Sequence, residues 1–273
     1  MSAVAYAGGA VLQERVAAAL DVHAYAPLRR PLWWVAVALN GLGAALHVVA
    51  LAFGPLSLVQ PLGALTIVFA LPMTTVFVGT QVGAAAWCGA VTASVGLAGL
   101  LALTAAGPSE QSLTGGERLM VGLASSGTVA ALVAAALAVH RHPAARSVLL
   151  AGAAGVAFGI ASVFVKTAAV DFTGAGLWAQ LPSLLATAVS AVTGLLLSQA
   201  SYRGVGLAAP LATVTVMNAV AAAAVGVTLF EESFRYGATG TAAALGCGVV
   251  AAGGVILLTT QRLRRSSGAA TVG

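Results

Sequence analysis

Between Pro31 and Ser109 the chain contains no Asp, Glu, Lys or Arg. Such a run cannot form the water-facing surface of a soluble domain, where about a quarter of residues are charged. A helix needs about 20 apolar residues to cross the hydrocarbon core of a bilayer, so the run has room for three crossings. Membrane-spanning strands would alternate apolar and polar side chains over about ten residues, and no such alternation is present. Across the chain 60% of residues are hydrophobic and 7% charged, which extends the same reading to the whole: an all-α integral membrane protein.

Apolar runs predict about nine transmembrane helices. The first, 1–12, is followed by Gln13-Glu14-Arg15 and is short even if continued to residue 20, as though the start of the helix were missing. The others fall near 31–53, 56–79, 82–106, 119–139, 148–170, 177–199, 207–230 and 236–260. They form one polytopic domain, with 1–139 as its first half and 148–260 as its second. The basic, then small and polar, tail 261–273 is expected to be disordered. Cys88 and Cys247 lie within spans and read as buried thiols, not as a disulfide framework. No basic n-region marks a cleavable signal peptide. The Arg, Ala, Gly and Val bias suggests a GC-rich bacterial genome.

The net charge of +5 does not indicate nucleic acid, because the arginines sit in short loops. With nine crossings, one side holds Arg15, Arg29, Arg30, Arg141, Arg146, Arg203, Arg262, Arg264 and Arg265, and the other Arg118, Lys166 and Arg235. The positive-inside rule then sets the C-terminus in the cytoplasm and the N-terminus outside, in a plasma or inner membrane.

The chain also repeats itself. At an offset of 149 residues Phe53 meets Tyr202, Pro61-Leu62 meets Pro210-Leu211 and Thr66 meets Thr215. The first and sixth spans are alike, and the fourth and ninth each carry a Cys-Gly pair, Cys88-Gly89 and Cys247-Gly248. Each pair is five crossings apart and therefore antiparallel. This is the inverted repeat of secondary transporters, whose solute site lies near the midplane between halves.

Polar groups within spans are costly unless paired or functional. Asn40, Gly43 and His47 share one helical face, and Gln180, Ser183, Thr187, Ser190 and Gly194 form a second stripe. Either stripe lines a solute path or bonds helices together through small residues. His47 is the member that titrates near neutrality. With Gln60 and Asn218, the candidate solute-lining set is Asn40, His47, Gln60, Asn218, Gln180 and Thr187. Lys166 either snorkels, pairs with Asp171 or faces the cavity; with Glu231 it is a coupling or gating candidate. Pro61, Pro72 and Pro210 are expected to kink their helices.

No GxxxxGK[ST], HExxH or GxSxG motif and no Cys/His cluster of metal spacing occurs, so neither an ATP motor nor an enzyme is expected, and no cofactor. Metal ligands stay unassigned. The partners expected are a small solute or ion and the lipid bilayer, with a homodimer open to it. Transport of a cation, proton-coupled export of a small organic metabolite, and a non-transporting scaffold are the three functional readings.

One family resembles this pattern. Leu32-Trp33-Trp34, Gly43, Ala52-Phe53-Gly54-Pro55 and Leu58-Val59-Gln60-Pro61-Leu62-Gly63-Ala64-Leu65 resemble the NIPA-type magnesium transporters. These are a branch of the drug/metabolite transporter (EamA-like) superfamily. The resemblance implies an inverted repeat of helical bundles, an external N-terminus and magnesium as solute. The family's glutamates near Gly43 and at the end of the third span are here Ala44 and Thr80, and His47 replaces an asparagine. The first half is thus expected to offer a cation only neutral oxygens and an imidazole.

Overall fold

The computed structural model describes residues 1–19, 30–53, 56–79, 83–105, 113–171, 176–203, 205–230 and 233–270. Within them nine helices follow one another: α1 (Ser2–Ala18), α2 (Pro31–Phe53), α3 (Leu56–Val78), α4 (Ala84–Leu103), α5 (Gly115–Ala138), α6 (Pro143–Asp171), α7 (Gly176–Ser201), α8 (Ala208–Leu229) and α9 (Gly237–Ala270). Six of these, α4 to α9, contain described stretches long and apolar enough to cross a membrane. The described apolar stretches of α2 and α3, Pro31–Leu46 and Thr66–Phe77, are shorter. Large apolar side chains such as Val76, Leu123, Val189, Leu245, Val249 and Ile256 are exposed. A surface of that kind fits lipid, where helices satisfy their own backbone and need no water.

α9 continues through residues 261–270. Extending an existing helix fixes one residue per hydrogen bond, while starting one is costly, and Gln, Arg and Leu at 261–265 are good helix formers. One short ribbon joins two of the helices. Thr104–Ala105 (β1) and Ser233–Phe234 (β2) pair antiparallel, Thr104 opposite Phe234 and Ala105 opposite Ser233. Arg235 N–H adds a bond to the Leu103 carbonyl at 2.8 Å. The ribbon forms because α4 ends where α9 begins, and backbone groups left unpaired at helix termini take partners from whatever lies alongside.

The bundle packs through glycine. The interface of α4 with α9 and that of α6 with α7 are equally the most extensive. A Cβ on Gly96 would fall against Ala251 N and 2.6 Å from Cys247 O, and one on Gly254 against Ala93 N and 2.6 Å from Gly89 O. The contacts are reciprocal and run in opposite directions along the two helices, so α4 and α9 are antiparallel with their backbones touching. Small residues allow this approach in membranes, where apolar side chains gain little by leaving lipid. The facing stripe leaves Cys88 outside it: that thiol is exposed rather than buried, and Cys247 is half-buried, both free.

The α1–α2 and α6–α7 pairs seat alike. A Cβ on Gly43 of α2 would lie 3.0 Å from the Tyr6 ring of α1, and one on Gly194 of α7 would lie 2.9 Å from the Phe158 ring of α6. In each case an aromatic ring of the earlier helix rests on a glycine of the next. α6 meets α8 through Gly155 and Gly159, whose added Cβ atoms would lie 2.7 Å from Val214 O and Asn218 O respectively.

Pro210 does not need to kink α8. It lies in the helix's first turn, where a missing N–H has no partner to lose. Pro61 and Pro72 fall inside α3; the Pro61 side chain lies outside the described residues and Pro72 is exposed. A proline not singled out from the sequence, Pro182, sits inside α7.

α5 starts on a capping box. The Thr114 hydroxyl accepts from Glu117 N–H, and the Glu117 carboxylate accepts from Thr114 N–H at 2.8 Å. Thr114→Ala is expected to destabilise this end by about 1 kcal/mol, seen as faster amide exchange confined to the first turn of α5.

Candidate functional site

The polar stripes read from the sequence turn inward. Asn40 faces α1: a Cβ on Gly9 would lie 2.8 Å from its Oδ1. Gln180 and Ser183 are buried, and Thr187 is half-buried, donating to Ser183 O at 2.8 Å. Thr187 is thereby satisfied within its own helix. Asn218 is half-buried against the glycines of α6. The side chains of His47 and Gln60, and all of Glu231, lie outside the described residues. Asn40 and Gln180 therefore sit on different helix pairs.

At one end of the bundle the chain closes with charged and aromatic contacts. Arg118 of α5 pairs with Asp171 of α6 at 2.8 Å, with the two side chains 22% and 10% exposed. Its Nε also donates to Leu113 O at 2.8 Å. Lys166 lies with Nζ 4.0 Å from the centroid of the Phe230 ring. Of the three alternatives read for Lys166, pairing with Asp171 is not the one the structure takes: Asp171 pairs with Arg118. Five residues apart on a helix, Lys166 and Asp171 point well away from each other, whereas residues three or four apart share a face. The β1–β2 ribbon and Arg235 lie at this same end.

The arginine-rich opposite end holds a feature the sequence reading passed over. Gln13-Glu14-Arg15 is not a loop: α1 runs on to Ala18 and carries it. Gln13 and Glu14 are buried, Glu14 at 5% exposure. The first half therefore does offer a carboxylate within its helices. The signal was present in Val16-Ala17-Ala18, which resumes the apolar pattern after Arg15. α7 meets α1 here, with Gln199 Nε2 donating to the Gln13 carbonyl at 2.9 Å. Ser198 donates to the Tyr202 hydroxyl at 2.8 Å, and Ser147 at the start of α6 donates to Ser201 O at 2.6 Å. Burial pushes the Tyr202 phenol up to about 12, against the lowering effect of its Ser198 bond, and the Glu14 charge adds to the rise. Burial, and then the neighbouring Arg146, holds the Arg203 guanidinium below its ordinary value. A cavity of about 380 Å³ opens beside this end, lined by Arg15, Val16, Ala19, Arg30, Pro31 and Leu32. None of the sequence-selected residues lines it.

Among the described residues no group of three or more His, Cys, Asp or Glu could hold a bare metal ion. What the arrangement provides is a multi-pass helical bundle with an ion pair at one end, a polar opposite end, and polar side chains turned inward between them. Residues 10–143, from α1 to the start of α6, match the family model described as Magnesium transporter NIPA. No curated protein matches the chain, and no solved structure does.

Proposed function

We propose that this chain carries a small divalent cation, magnesium foremost, across its membrane by alternating access between two halves of opposite topology. The observation that carries the reading is the match of residues 10–143 to the magnesium transporter NIPA model. The packing supports the two halves: α1–α2 and α6–α7 share the aromatic-on-glycine seat, and α4 and α9 meet through reciprocal antiparallel contacts. The arginine-rich end is the cytoplasmic one, as the distribution of basic residues requires. Asn40, His47, Gln60, Gln180, Thr187 and Asn218 remain the proposed lining between halves. Lys166 and Glu231 are the proposed gate at the outer end. Magnesium keeps several of its waters and binds through one or two carboxylates or other oxygens, so a lining of amides suits a hydrated ion.

The test is flux into proteoliposomes with Mg²⁺, Mn²⁺, Co²⁺, Ca²⁺ and a panel of small organic solutes, at two pH values. Saturable Mg²⁺ uptake, slowed by Asn40→Ala, is expected. Flux of an organic solute with no divalent cation moved would replace this reading with metabolite export.

A further inference from the structure

The cavity between the end of α1 and the start of α2 takes no part in the proposed transport path. Its volume of about 380 Å³ falls within the roughly 300–1,000 Å³ of small-molecule sites. Its walls are of two kinds. Arg15 of α1 and Arg30, just before α2, bring charge to it, while Val16, Ala19, Pro31 and Leu32 make the rest apolar. Both arginines are exposed, and among the described residues no carboxylate lines the cavity. The dipole of α1 ends here on its negative side, and that of α2 begins here on its positive side. The two oppose each other, so the guanidiniums set the sign of the local field. The cavity is therefore suited to an anion.

The apolar walls narrow the class of anion. A free inorganic ion gains nothing from Val16 or Leu32, whereas an amphiphile gains by covering them. The depth of the cavity points the same way. Trp34, two residues beyond Leu32, is 57% exposed, and its ring meets that of Trp33 edge to face at a centroid distance of 4.9 Å. Tryptophan gathers at the level of the lipid headgroups, which puts the first turn of α2, and the cavity beside it, at that level. Basic pockets between transmembrane helices bind anionic headgroups there.

We propose that this cavity seats one anionic phospholipid from the leaflet at the arginine-rich end, with its phosphate between the Arg15 and Arg30 guanidiniums and the start of its acyl chains against Pro31 and Leu32. The planar fork of arginine matches the geometry of a phosphate, and a phosphate held by both arginines ties the end of α1 to the start of α2. The inference needs only that the bundle lies in a bilayer. It goes beyond the cation reading and does not depend on it.

The full chain, purified in detergent, is titrated with dioleoyl phosphatidylglycerol, with phosphatidylcholine of the same acyl chains and with inorganic phosphate, and thermal stabilisation is read. Phosphatidylglycerol is expected to stabilise at concentrations where the other two do not. Arg15→Gln and Arg30→Gln should each raise the phosphatidylglycerol concentration for half-maximal stabilisation at least roughly fivefold, as loss of one basic contact to an anionic lipid implies; either serves if the other fails to fold. Leu32→Asn should weaken the response as well. Arg141→Ala removes an exposed charge at the same end but outside the cavity, and should leave it unchanged. An equal response to phosphatidylcholine, or an undiminished one in folded Arg15→Gln and Arg30→Gln proteins, overturns the site. So does an equal loss in Arg141→Ala, which would mean diffuse attraction to a basic surface. Inorganic phosphate that stabilises as well as phosphatidylglycerol, with or without Leu32, overturns the lipid as occupant.

Discussion

Valine at Gly96 is expected to destabilise the protein by about 3 kcal/mol or more, at the upper end of what overpacking costs. The added side chain has no direction in which to relax. Its Cβ alone would fall against Ala251 N and 2.6 Å from Cys247 O, and both are backbone atoms of α9 that cannot move without shifting the helix. Gly254→Val should behave alike, because its Cβ meets Ala93 N and Gly89 O of α4. Gly99→Ala is the graded case, since it meets the movable Cys247 Sγ at 2.6 Å, and should cost less. Gly122→Ala meets nothing within 4 Å and should be neutral or stabilising by about 0.5–1 kcal/mol, since Ala is the better helix former. Thermal melting of the purified proteins, with the yield of monodisperse material, ranks the four. Equal stability of Gly96→Val and Gly122→Ala would show that α4 and α9 do not pack as described.

Removing Asp171 is expected to cost about 2 kcal/mol. Breaking a fully buried pair by taking one partner costs about 3–5 kcal/mol, and exposed pairs are worth about 0–1 kcal/mol. Arg118 and Asp171, 22% and 10% exposed, fall between these limits. Asp171→Ala strands the guanidinium, which keeps only its Nε bond to Leu113 O. Arg118→Ala strands the carboxylate and also frees Leu113 O, so it should cost at least as much. The double variant should recover part of the loss, because neither charge is then left without its partner. The pair ties the start of α5 to the end of α6, so cysteine accessibility to a membrane-impermeant reagent near residue 171 should rise in either single variant. A double-mutant coupling near zero would mean that the pair contributes nothing to closing this end.

Most of the helices were legible without the structure. The second span, 31–53, coincides with Pro31–Phe53, and the others fall within a few residues of α3 to α8. Asn40, Gly43 and the stripe from Gln180 to Gly194 turn inward as their spacing predicts. The reading failed where one charged triplet was taken as the end of a helix. Gln13-Glu14-Arg15 lies in α1 because buried Val16 and Ala17 continue the face that Ala10 and Val11 begin. A charge inside a helix looks like a boundary until a partner for it is known.

The sequence by itself determined where most of the helices run, and which amino acids are too polar to face lipid. Those properties are local: away from water each backbone group must be satisfied within its own helix, so twenty or so apolar residues suffice to call one. The tertiary structure alone decided which faces meet. Helix spacing turns Asp171 away from Lys166, and only packing α5 on α6 gives it Arg118, 53 residues earlier. Gly96 and Gly254 are ordinary glycines in the sequence, and become indispensable only once α4 and α9 bring their backbones into contact. Gln13 and Gln199 are 186 residues apart, and only the crossing of α1 and α7 brings the Gln199 amide onto the Gln13 carbonyl.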